Sequence, residues 1–176
     1  MSSTHKWIVA ALLALMKAEA TPKEPPFKIL GQMTGADSLV ESSQSLMVKS
    51  QDGWNQVWRQ HRQSVFVGAG GIKVTDGLGD QPPVNFTENV VLCLFGGQSR
   101  NVGGFSIADV VETKGSVVIR IQPTILPNSG TGIVQNPYLM LVLPRTKRKL
   151  QVQLDQSALG GQGWRVLGDF GPTKDD

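Results

Sequence analysis

Short runs rich in apolar and β-branched residues recur along this chain, separated by turn residues. FKILGQM (Phe27 to Met33) and QSLMVKS (Gln44 to Ser50) read as strands around the turn-rich TGADSLVESS. The period then changes. In SQDGWNQVWRQHRQ, Trp54, Val57, Trp58 and His61 fall at i, i+3, i+4 and i+7, one face of a helix. Ser50 or Asp52 can cap its start, because a side-chain oxygen satisfies a free backbone N–H. SVFVGAGGIKVTDGLGDQPP is a long glycine-rich connection with one short strand expected in IKVT.

Strands then follow closely: NVVLCLFG, GFSIADVVET, SVVIRIQP, PYLMLVLP, KLQVQLD and GWRVLG. The breaks fall at Lys114-Gly115, at Pro127 to Gly130, at Asn136-Pro137 and at Gly160-Gly161. This spacing predicts a mainly β chain: an antiparallel β sandwich or open barrel with one packed α-helix. A single domain is expected over residues 27–170, with a C-terminal tail at 171–176.

The first 20 residues have another pattern. MSSTHK is polar and positively charged, Trp7 to Met16 is a ten-residue apolar run, and Ala18-Glu19-Ala20 has small residues at alternate positions. That describes a secretory signal peptide cleaved after Ala20, and the run is too short to span a bilayer. Residues 21–26, TPKEPP, form a proline-rich mobile spacer. The expectation is an extracytoplasmic protein, periplasmic or secreted, with no transmembrane segment in the mature chain. Losing Lys6, Lys17 and Glu19 reduces the net charge from +3 to +2. A field that weak does not imply nucleic acid.

Candidate chemistry is sparse. Cys93 is the only cysteine, so an intramolecular disulfide is impossible, and its apolar run suits a small buried hydrophobe. After the leader only His61 remains, on the apolar helix face, where it reads as a packed histidine. One histidine and one cysteine cannot build a structural zinc site. The carboxylates are scattered. Asp76 and Asp80 in TDGLGD lack the ligand count of a calcium loop and read as turn residues. GAGG, Gly68 to Gly71, lacks the spacing of a dinucleotide fingerprint. No catalytic residue, metal ligand or cofactor is therefore expected. RTKRK, Arg145 to Lys149, reads as a solvated turn, with an anionic partner as the sharper reading.

The stretch GGQSRNVGGFSI, Gly96 to Ile107, joins two strands and precedes no helix, so a phosphate cradle is unsupported. Gly103 and Gly104 before Phe105 suggest a bulge that aims the aromatic into the core. The sharper reading makes Arg100, Asn101, Gly103, Gly104 and Phe105 a partner-binding rim.

The order of elements carries a resemblance. PPVNF is followed by VVLCLFGG, VGGFSI, SVVIRIQPTILPNSG and QNPYLMLVLP. This order resembles the C-terminal domain family of PrcB, a subunit of a bacterial surface protease complex, over about Phe27 to Pro144. Asn85, Val102 and Phe105 stand where that family has Asp, Thr and Tyr. Ser64 to Gln81 looks like an insertion. The resemblance implies association with, or stabilisation of, a protease and no enzymatic activity. The first expectation is thus an exported accessory module with a protein partner. The alternative is an exported protease inhibitor that inserts the glycine-rich loop into a cleft. A hydrolase using the scattered carboxylates is the third reading.

Overall fold

The computed structural model describes residues 26–62, 64–68, 71–75, 80–126 and 134–173. The expected leader, all of the spacer but Pro26, Asp76 and the turn at Pro127 to Gly130 lie outside these residues. The strands are β1 (Gly31–Gly35), β2 (Ser43–Val48), β3 (Ser64–Gly68), β4 (Gly71–Thr75) and β5 (Asn89–Gly96). They continue with β6 (Val102–Glu112), β7 (Ser116–Ile125), β8 (Tyr138–Pro144), β9 (Lys149–Asp155) and β10 (Trp164–Phe170). Helix α1 spans Gln51–Arg62.

Two four-stranded sheets, ordered β1-β8-β5-β2 and β10-β9-β7-β6, pack as a sandwich, not a closed barrel. All pairings are antiparallel except β7 with β9. After β7 the chain crosses into the first sheet as β8, then returns as β9 running the same way as β7. A parallel pair needs such a crossover.

Strand β5 shows why NVVLCLFG is apolar almost throughout. Val90, Leu92 and Leu94 enter the core between the two sheets, beside Leu139, Leu141, Ile119 and Val152. Val91, Cys93 and Phe95 point the other way, into a second core beneath α1 with Trp54, Trp58 and Met140. Both faces of this strand are therefore dry, so neither can carry polar residues. Each such side chain contributes about 1.5–3 kcal/mol by leaving water.

The helix forms where its sequence period places it. The Ser50 carbonyl accepts the Trp54 N–H at 3.0 Å, and the Ser50 hydroxyl oxygen accepts the Gly53 N–H at 3.3 Å. Ser50 is thus the cap, and Asp52 lies inside the helix. Trp54 and Trp58 meet edge to face, 5.2 Å between centroids. The Trp54 indole N–H donates to the Pro82 carbonyl at 3.0 Å, which fastens the PPVNF segment over the helix. Within that segment Asn85 serves the described residues as an acceptor: its side-chain oxygen takes the Thr87 N–H, and its carbonyl those of Glu88 and Asn89.

One expectation is corrected. The glycine-rich connection holds two strands, not one: β3 and β4 pair antiparallel, with Ser64 opposite Thr75 and Gly68 opposite Gly71. Of the expected C-terminal tail, residues 171–173 are described. Thr173 is only 2% exposed and exchanges hydrogen bonds with Thr146 through its backbone N–H and its hydroxyl oxygen. At the other end, Phe27 donates its N–H to Glu112 at 2.9 Å and packs on the sandwich core.

Candidate functional site

The stretch from Gly96 to Ile107 closes one end of the sandwich. Its loop is fastened at several points. Gly96 N–H donates to the Pro137 carbonyl at 2.8 Å, Gln98 N–H to the Glu41 carbonyl at 3.1 Å, and Ser99 exchanges two bonds of 2.7 Å with Gln135. The Ser99 hydroxyl oxygen accepts the N–H groups of Asn101 and Val102, making a small local turn. Secured in this way, the loop exposes Arg100 and Asn101. Arg100 makes no hydrogen bond or ion pair with any described residue.

The other three candidates serve the fold. The β6–β7 register shifts between Val102 and Phe105, so Gly103 and Gly104 form the expected bulge. Gly104 has φ +143°, and a Cβ there would lie 2.8 Å from the Thr34 hydroxyl oxygen. A Cβ on Gly103 would lie 2.6 Å from Cδ2 and 2.9 Å from Cγ of the Leu126 side chain. Phe105 is 6% exposed and belongs to the core between the sheets. Its ring is therefore no rim contact, because the bulge turns it inward.

Next to the loop lies a pocket of about 170 Å³ that sequence reasoning missed. Leu94, Val102, Phe105 and Leu154 form its floor, and Leu159 and Leu167 its outer wall. Ser43, Ser45, Gln98, Ser99 and Asn101 give a polar rim, and Arg165 is the one charged lining residue among those described. It opens where edge strands β2 and β10 of the two sheets approach. No sequence signal pointed there: in GWRVLG alternation leaves Arg165 between the apolar Trp164 and Val166, and only the strand register sets it opposite Leu154, where it is exposed.

His61 is wholly buried, with its ring 4.3 Å from that of Tyr138 and Nδ1 2.9 Å from the Ser38 hydroxyl oxygen. Burial, helped by the Arg62 charge and opposed by Asp37, lowers its pKa to about 4. Its Nε2 has no hydrogen-bond partner. A Ser–His pair sealed in this way cannot meet a substrate, so the packed reading of His61 stands. Outside that seal Arg62 pairs with Asp37 at 2.6 Å and donates to the Tyr138 hydroxyl at 3.3 Å.

Cys93 is buried, and its burial raises the thiol pKa well above the ordinary range, which suppresses the reactive thiolate. Among the described residues no group of His, Cys, Asp and Glu could hold a metal ion, and no helix is long and apolar enough to cross a membrane.

The basic cluster is largely absorbed by the fold. Arg145 donates to the carbonyls of Phe86, Thr173 and Lys49 at 3.0, 2.7 and 3.0 Å. Arg148 pairs with Glu112 at 2.7 Å and lies over the Phe27 ring. Neither guanidinium is free to form an anion-binding patch. Comparison of the chain with protein-family models, curated proteins and solved structures finds no match.

Proposed function

We propose that this chain is an exported, non-enzymatic accessory module that binds a protein partner, in first place a protease. The observation that carries the reading is the fastened loop with Arg100 at its surface, paired with no described residue. A loop held by backbone bonds to Glu41, Gln135 and Pro137 loses little freedom on docking. Arginine is also enriched among residues that dominate interface energy. The leader pattern of the first 20 residues supports export. The PrcB-like order of elements supports the protease. Among the described residues Asn85 acts there as an acceptor, a role that an aspartate carboxylate is able to fill.

The inhibitor alternative loses its inserting aromatic, since Phe105 is committed to the core. The test uses the protein purified from its native extracellular fraction. N-terminal sequencing is expected to find Thr21, and capture is expected to retain a protease whose activity is not inhibited. Folded Arg100→Ala is expected to capture less of it. An intact Met1 on cytoplasmic protein overturns export, and equal capture by Arg100→Ala overturns the role of the loop. Inhibition across a protease panel moves the function to the inhibitor class.

A further inference from the structure

We infer that the pocket between β2 and β10 takes the C-terminal residue of a polypeptide, an aliphatic side chain on the apolar floor and its free carboxylate on Arg165. This rests on the accessory reading above and names what the same face would hold, since chain ends are what a protease produces.

Size decides first. A pocket of about 170 Å³ is smaller than cofactor or drug sites, which start near 300 Å³. It is close to the roughly 150 Å³ apolar cavity that accepts one benzene ring. One side chain fits, and a nucleotide does not.

Chemistry decides next. The floor and wall are Leu94, Val102, Phe105, Leu154, Leu159 and Leu167, so the occupant is apolar. Among the described residues no carboxylate lines the pocket. Arg165 makes no hydrogen bond or ion pair with any described residue; it is exposed and lines the pocket from an edge strand, opposite Leu154. A charge on an edge strand can also serve only to block pairing with another sheet. That role needs no apolar cavity beside it. A cation two positions from the apolar Leu167 matches a ligand whose carboxylate and side chain branch from one carbon. A C-terminal residue has that geometry, whereas an aspartate or glutamate within a chain does not bring a separate apolar side chain with its charge. The side-chain amides of Gln98 and Asn101 lie at the rim, where they are placed to take the preceding peptide group.

The test is a titration of the isotopically labelled protein with N-acetyl-L-leucine, N-acetyl-L-leucinamide and hexanoate, followed by NMR at the Leu159 and Leu167 methyls. The free acid is expected to shift both methyls saturably in the millimolar range, as suits so few ligand atoms. The amide is expected to bind about tenfold more weakly, the usual effect of losing one charge-assisted hydrogen bond. Arg165→Gln is expected to make acid and amide equal. Leu159→Ala, at an exposed position, is expected to weaken both and keeps the test open if the first variant fails to fold. Absence of saturable shifts, or equal binding of acid and amide by the unmutated protein, overturns the inference. Hexanoate binding as tightly as the acetylated leucine overturns the polypeptide assignment. The titration needs no native partner, so its failure leaves the accessory function standing, and failed capture leaves the titration untouched.

Discussion

The hydroxyl of Thr34 holds the backbone of Phe105. Its oxygen accepts the Phe105 N–H at 3.0 Å and lies 2.9 Å from the Phe105 carbonyl and 3.0 Å from that of Tyr138. Its single proton serves one of those two acceptors. Thr34 is on β1 and Phe105 on β6, so one side chain joins the edges of the two sheets just after the bulge, where the ladder partner of Phe105 is Pro123. Thr34→Val keeps the shape and strands the Phe105 N–H. We expect a loss of about 1–3 kcal/mol in denaturant titration, restored in good part by Thr34→Ser. A change below about 0.5 kcal/mol, the scatter of neutral surface substitutions, would show that the contact is incidental.

Gly104 is expected to tolerate no side chain. Its φ of +143° is rare for residues with a Cβ, and the added carbon would meet the Thr34 oxygen at 2.8 Å. Gly104→Val should cost more than the roughly 1–3 kcal/mol of an isolated strained residue, since it also breaks the Thr34 bridge. Gly115→Ala is the control, because a Cβ there meets nothing within 4 Å. Equal melting temperatures for the two variants would falsify the account.

His61 makes stability depend on pH. Its folded pKa is about 4, against 6.5 unfolded. Above pH 6.5 both states are neutral and this contribution is complete. As pH falls from 6.5 towards 4, the unfolded chain binds a proton that the folded chain refuses, so stability drops. The total loss from this group is about 3 kcal/mol, from the size of the shift. His61→Phe should lose correspondingly less over the same range in acid denaturation. Parallel curves for the two proteins would mean that the ring titrates normally.

Arg145 ties three distant segments, and the planar fork of its guanidinium is what reaches all three carbonyls. Arg145→Lys leaves at least one acceptor without its donor. We expect about 1–3 kcal/mol of destabilisation. Amide exchange at Thr173, whose N–H donates to Thr146, should speed up first. Unchanged protection at Thr173 would rule out the clamp.

Much of the architecture was written locally. The i, i+3, i+4, i+7 spacing of Trp54, Val57, Trp58 and His61 is a property of one helical face, and α1 buries those four residues. The apolar runs marked the strands because a buried strand leaves its composition in the chain. The Gly103-Gly104 pair marked the bulge because few other residues accept such a backbone. Strand β3 was missed because SVFVG and its glycine neighbours read as loop, and a two-stranded pair needs little pattern beyond its own hydrogen bonds.

What the sequence by itself determined was therefore the kind of element at each place: strand, helix, turn and bulge, each set by a period or a backbone preference within a few residues. Only the tertiary structure decided which strands are neighbours, because pairing depends on residues far apart in the chain that leave no mark on one another. It placed β8 between β1 and β5 and thereby made β7 and β9 parallel. It also turned Arg145 from a solvated turn residue into a clamp on Lys49, Phe86 and Thr173, since backbone carbonyls accept hydrogen bonds whatever their side chains. The pocket belongs to the same class. Its lining comes from β2, β5, β6, β9 and β10 and the connections between them, and no stretch of sequence contains a cavity whose walls meet only after the two sheets pack.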